Sequence, residues 1–206
     1  MSAHDHVEGQ LPHEPEKATL DARNKILGFW LFLGAEVVLF GTLFAAYLAL
    51  RHSVGDGPSP AELFELPMIF GATMILLTSS LTSVFAVQAM HRHQKNAMVG
   101  WLIVTVLLGL GFLGLEIYEF SHYAHLGHEF ATSAFSSSFY TLVGFHGAHV
   151  AFGVVWISLV IGQIYKKGLT VVTAPKVYIS AMYWHFIDVV WVFIFTVVYL
   201  MGKVAG

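Results

Sequence analysis

Five uninterrupted apolar stretches divide this chain, near residues 26–50, 67–90, 98–123, 136–165 and 178–201. Each is longer than the roughly 20 residues a helix needs to cross the hydrocarbon core of a bilayer. None alternates polar and apolar residues as the strands of a membrane barrel do. The predicted fold is therefore all-α: a polytopic membrane protein with five transmembrane helices in a bundle. Composition agrees, because 56% of the residues are hydrophobic and only 11% charged, against about 25% charged in soluble domains. The chain contains no cysteine, which excludes disulfides, thiolate zinc sites and iron–sulfur ligation within it.

Residues 1–24, with five acidic residues, three histidines and two prolines, read as a polar flexible tail, and 25–206 as the membrane domain. The tail lacks the basic region, short apolar core and small-residue cleavage site of a secretory signal, so Ile26 is expected to begin a retained helix. His4, His6 and His13 are candidate metal ligands there, although such termini are ordinarily disordered. Eight of the ten basic residues fall on one side: Lys17, Arg23, Lys25, Arg92, Lys95, Lys166, Lys167 and Lys176, leaving Arg51 and Lys203 opposite. The positive-inside rule then places the N-terminus in the cytoplasm and the C-terminus outside. In the first outer loop Ser59, Pro60 and Glu62 spell a capping box for a short helix. Gly168 and Pro175 break the fourth connection. No internal repeat is evident, which counts against transporters built from duplicated halves.

Ionisable groups inside the apolar runs are costly in lipid and are functional candidates by default. Glu36 lies about ten residues into the first helix, roughly 15 Å deep at 1.5 Å per residue, on a stripe with Phe29, Phe32, Phe40 and Leu43. A proton-relay or lipid-contact role and a plain hydrogen bond to a neighbouring helix are both open for it. In the third helix Glu116, Glu119 and Tyr123 share a face. Paired carboxylates suggest acid–base chemistry, but no nucleophile or phosphate loop accompanies them. His146 and His149 share a face of the fourth helix beside the small-residue pairs Gly144/Ala148 and Gly147/Ala151, which admit a close neighbour. Glu116 and Glu119 are their nearest polar partners in sequence. In the fifth helix His185 and Asp188 lie one turn apart between Trp184 and Trp191, as interhelical glue or as half of a metal site. Ligation of haem by His146 or His149 with His185 is a further alternative. The run TSSLTS, 78–83, offers hydroxyls for packing.

These residues alone leave three classes open: an integral subunit whose polar groups fix helix packing, a proton or ion transporter, and a membrane cytochrome. The segments GFWLFLGAEVVLFGTLFAAYL, LGLEIYEFSHY, TLVGFHGAHVAFG and YWHFIDVVWVFIFTVVYLMG, in this order, closely resemble subunit III of the haem–copper terminal oxidases. The resemblance runs from Gly28 to Gly202. It is nearest the bacterial five-helix, caa3-like cytochrome c oxidases, with quinol oxidase subunit III next, since the mitochondrial type has two further helices at the start.

The resemblance implies a non-catalytic subunit of a proton-pumping oxidase in the bacterial plasma membrane. It implies no haem, copper or other metal in this chain, the redox centres belonging to subunits I and II. It further implies a bound phospholipid, packing beside a subunit I that carries extra helices, contact with subunit II, subunit IV as a further candidate, no nucleic acid, and support of proton uptake. Glu36 matches the family's intramembrane glutamate. Glu116, His146, His149, His185 and Asp188 match its recurring polar positions, and no catalytic role is carried to any of them. Asp56, Glu62, Glu65 and Glu129 make the outer loops slightly acidic, which would suit a basic donor such as cytochrome c.

Overall fold

The computed structural model describes residues 11–54, 66–125 and 130–205. The short helix expected at Ser59–Glu62, the acidic loop residues Asp56, Glu62, Glu65 and Glu129, and His4 and His6 lie outside the described residues. Among the described residues five helices are long and apolar enough to cross a membrane: α1 Leu20–Leu50, α2 Leu66–His91, α3 Lys95–His125, α4 Ala134–Lys167 and α5, which begins at Ala174 and spans to Lys203. No strand occurs among the described residues.

Helix α1 starts six residues before the apolar run does, because polar chemistry builds its first turn. The Thr19 hydroxyl accepts from the Ala22 N–H at 3.1 Å, a standard N-cap, and Lys25 pairs with Asp21 one turn away at 2.6 Å. Just upstream, Pro15–Lys17 forms a single tight turn. There Lys17 Nζ donates to Glu14 at 2.9 Å, and that hydrogen bond holds the Glu14 carboxyl below its usual range. Glu16 in the same turn is only 1% exposed and meets His91, at the end of α2, at 3.2 Å. Within residues 14–24, which the sequence alone reads as part of a tail, Pro15, Glu16 and Ala22 are buried and α1 has already begun.

The α2–α3 connection is three residues long. His93 adopts φ 57°, its N–H bonds to Met90 O at 3.0 Å, and the next N–H, of Gln94, reaches back to Ala89 O at 2.9 Å. This is a Schellman stop with histidine where glycine is usual. It turns α3 back antiparallel along α2. α4 is capped by Ser133, whose Oγ accepts from Ser136 N at 3.0 Å, and ends at Gly168 with φ 74°.

Helices α2, α3, α4 and α5 pack as a ring, each against the next and α5 back onto α2, while α1 lies outside in the groove between α4 and α5. Only 11% of the apolar window of α1 is buried, against 33–39% for the other four. Aromatic rings make its seam: Phe29 meets Trp156 and Tyr183, and Phe40 meets His149 and Phe186. α5 is regular to Ile194 and then widens over Phe195–Leu200 to i→i+5 bonding. The extra residue in that turn brings Val198 and Tyr199 both into the core, a local irregularity of the kind often found at functional places.

Candidate functional site

The polar residues on the membrane spans fall into three groups. In the first, Glu36 of α1 and His149 of α4 meet with Oε2 and Nε2 3.1 Å apart, at 13% and 16% side-chain exposure. The other ring nitrogen, Nδ1, lies 2.7 Å from the Phe145 carbonyl. A carbonyl only accepts, so Nδ1 carries a proton. The 3.1 Å contact then needs one more proton, held either by the carboxyl or by Nε2. In both forms the pair is neutral overall, which is what lets it stay at mid-depth in lipid.

The second group lies between α3, α4 and α5. Glu119 accepts from the Tyr123 hydroxyl at 2.6 Å and from Tyr199 at 3.3 Å, the latter delivered by the wide turn of α5. Glu116 presses its carboxyl against Gly147, where an added Cβ would stand 2.5 Å from Oε2. The small residue there lets the carboxyl lie against the backbone of α4. His146 is fully enclosed, stacked on Trp191 at 5.2 Å and edge-on to Phe112. Neither of its nitrogens nor Glu116 Oε1 has a partner among the described residues.

The third group joins α5 to α2. Trp184 Nε1 donates to Ser79 Oγ and Trp191 Nε1 to Thr73 Oγ1, each at 3.0 Å. His185 Nδ1 meets Ser80 Oγ at 2.7 Å. As residue numbers rise on α5 they fall on α2, the signature of antiparallel helices. Trp184 itself fits a slot between two glycines: a Cβ at Gly109 would stand 2.6 Å from the indole, and one at Gly153 2.9 Å.

Two pairings suggested by sequence proximity do not occur. Among the described residues no hydrogen bond joins His146 or His149 to Glu116 or Glu119, and residues three apart on a helix differ by about 60° in direction. That angle turns His149 to α1 and leaves His146 inside. Nor does His185 bond to Asp188. Both turn to Ser80 of α2 instead, and Asp188 Oδ1 has no partner among the described residues. Of the histidines considered for haem ligation, His149 is engaged by Glu36 and His185 by Ser80, while His146 has no partner among the described residues. Among the described residues no three His, Asp or Glu side chains converge as a metal site. Ser79 and Ser80 fall in the TSSLTS run read from sequence as packing hydroxyls, whereas Thr73, Tyr199 and the glycine slot carry no such signal. The seven-residue spacing of the two tryptophans, set against hydroxyls six residues apart on α2, is the signal that could have found the pairing.

The family model described as cytochrome c oxidase subunit III matches residues 18–203. The chain belongs to the cytochrome c oxidase subunit III family. Among its relatives are cytochrome c oxidase subunit 3 of Bacillus sp. (strain PS3), 61% identical over 194 residues, and that of Bacillus subtilis (strain 168), 60% identical over 194, each alignment covering 94% of both chains. Quinol oxidase subunit 3 of Bacillus subtilis (strain 168) is 49% identical over 202 residues, 98% of both chains. As a subunit III with five spans, this is a multi-pass bacterial membrane protein of a terminal oxidase. All three polar groups lie inside the matched region, so the interhelical contacts described above belong to the subunit III fold of this chain.

Proposed function

We propose that this chain is the non-redox subunit III of a proton-pumping cytochrome c oxidase, which reduces oxygen to water. On this reading the haems and copper are held by subunits I and II. The chain packs beside a subunit I with extra helices, with subunit IV as a further neighbour, holds phospholipid, and supports proton uptake. The observation that carries the reading is the match over residues 18–203, together with 61% and 60% identity to cytochrome c oxidase subunits against 49% to a quinol oxidase subunit. The basic residues of alternate connections support a cytoplasmic N-terminus.

The chain's own polar residues have two roles in this proposal. The contacts of Trp184, His185 and Trp191 with α2 lock helices together, since in lipid interhelical hydrogen bonds and close packing replace the hydrophobic effect. The Glu36–His149 pair is the element suited to lipid contact or proton exchange, because it sits at mid-depth, is partly accessible and shares a proton. Purifying the tagged chain from its own membrane in mild detergent tests the proposal. A haem–copper subunit I should accompany it, and the chain stripped of its partners should show no haem absorption. A stoichiometric haem band from the isolated chain would sink the reading. Turnover by the purified complex with reduced cytochrome c, and none with quinol, is the expected donor preference; the reverse would assign the chain to the quinol oxidase branch.

A further inference from the structure

At the α2–α3 turn a groove of about 210 Å³ opens between the two helices, with Phe85, Gln88, Arg92, Gln94 and Trp101 among its lining residues. The Schellman stop at His93 sets it up. By restarting α3 after three residues, the stop holds Arg92 and Gln94 at the membrane end of the seam. Phe85 and Trp101 form one wall, their ring centroids 5.0 Å apart. Trp101 is 39% exposed, and tryptophan is enriched at the membrane–water interface.

Every polar side chain of the lining can donate: a guanidinium, two amides, which also accept, and an indole N–H. Among the described residues no side-chain hydrogen bond or ion pair engages any of the four. No carboxylate lines the groove, and the sequence holds no Asp or Glu from residue 66 through 115. One turn deeper, Leu81 of α2 and Val104 of α3 stay exposed on either side of the buried Thr82–Thr105 hydrogen bond. The surface therefore passes from cationic and donor-rich to aromatic to aliphatic within a few turns of helix.

We propose that this groove binds an anionic phospholipid. The phosphate meets the Arg92 guanidinium, the Gln88 and Gln94 amides serve the remaining headgroup oxygens, and the glycerol and first methylenes lie on Phe85 and Trp101. Guanidinium matches phosphate in both charge and geometry. An acidic side chain of a partner would use only the polar end. The aliphatic continuation at Leu81 and Val104 fits an amphiphile with one charged end. The proposal deepens the phospholipid contact proposed above and depends on the chain spanning a membrane, not on its oxidase partners.

The test uses the full-length chain, and separately the whole oxidase complex, delipidated and titrated with phosphatidylglycerol under native mass spectrometry. Arg92→Gln should weaken binding of one phosphatidylglycerol about tenfold, the loss expected for one charge-assisted contact. Arg92→Lys should recover part of it, and Arg51→Gln, at the other membrane face, should change nothing. Glycerol phosphate, which has no acyl chains, should not compete; competition would make this a plain anion site and overturn the lipid assignment. Unchanged binding in Arg92→Gln would overturn it too. So would an Arg92→Gln complex that loses a partner subunit while its lipid count stays the same, which would mean that a partner's acid occupies the groove. Absence of oxidase subunits from the purified complex would sink the functional reading and leave the result on the isolated chain standing.

Discussion

The Glu36–His149 contact shows how a single proton decides whether a residue pair can exist at mid-membrane. Since the Phe145 carbonyl fixes a proton on Nδ1, the pair can be acid plus neutral imidazole or carboxylate plus imidazolium, but not carboxylate plus neutral imidazole at hydrogen-bond distance. Glu36→Gln keeps a donor facing Nε2, so the variant should assemble with full haem content and unfold within about 1 kcal/mol of the parent. It removes the exchangeable proton, so any share of the pair in proton uptake should appear as slower turnover at unchanged assembly. His149→Leu instead strands the carboxyl against apolar rings and should cost about 2–3 kcal/mol in detergent unfolding. Equal stability of the two variants would contradict the shared-proton description.

At the scale of the helix, α5 is the element that registers the bundle, through two indole donors, one imidazole and a ring slotted between glycines of α3 and α4. In an exposed helix Gly→Ala is normally favourable by about 0.5–1 kcal/mol. Gly162, with nothing within 4 Å of an added Cβ, should follow that rule. Gly109→Ala and Gly153→Ala should reverse it, because the methyl must displace the Trp184 indole. Overpacking of this sort costs about 1–3 kcal/mol, readable as a lower unfolding midpoint, and retention of the parent midpoint in both variants would remove the slot from the account. Removing the indole donor by Trp184→Phe should cost about 1 kcal/mol and leave Ser79 without its partner. These contacts also mark what a sequence can disclose. The five spans are legible because lipid demands about twenty apolar residues in a row, wherever they pack. That His149 faces α1 and His146 faces Trp191 is not legible, since it depends on which helix fills which side. Tyr199 reaches Glu119 only through a widened turn that no local pattern in FTVVYL announces. The ordered lead-in at Glu14–Lys17 was hidden because its anchor, His91, is 75 residues away from Glu16.

For the whole molecule, the ring of four helices with α1 as an outrigger leaves most of the apolar surface of α1 outward, including Trp30, Leu31, Val37 and Val38. In the assembled oxidase that surface lies against lipid or another subunit. The proposed orientation of the ring, with its N-terminal end towards the cytoplasm, rests on charge. Basic residues cluster at the N-terminal lead-in, the α2–α3 turn and the α4–α5 turn, and are sparse at the α1–α2 and C-terminal ends. Because the chain has no cysteine, single introduced thiols report sidedness without background from this subunit. Ser53, exposed just after α1, and Lys167, exposed at the end of α4, are suitable sites at opposite ends of the ring. A charged, membrane-impermeant maleimide should label Ser53→Cys in intact cells and Lys167→Cys only after permeabilisation. The reverse pattern would invert the bundle. It would put the basic turns, and with them the Arg92 groove, in the outer leaflet, where the phospholipid proposed for that groove would then have to come from.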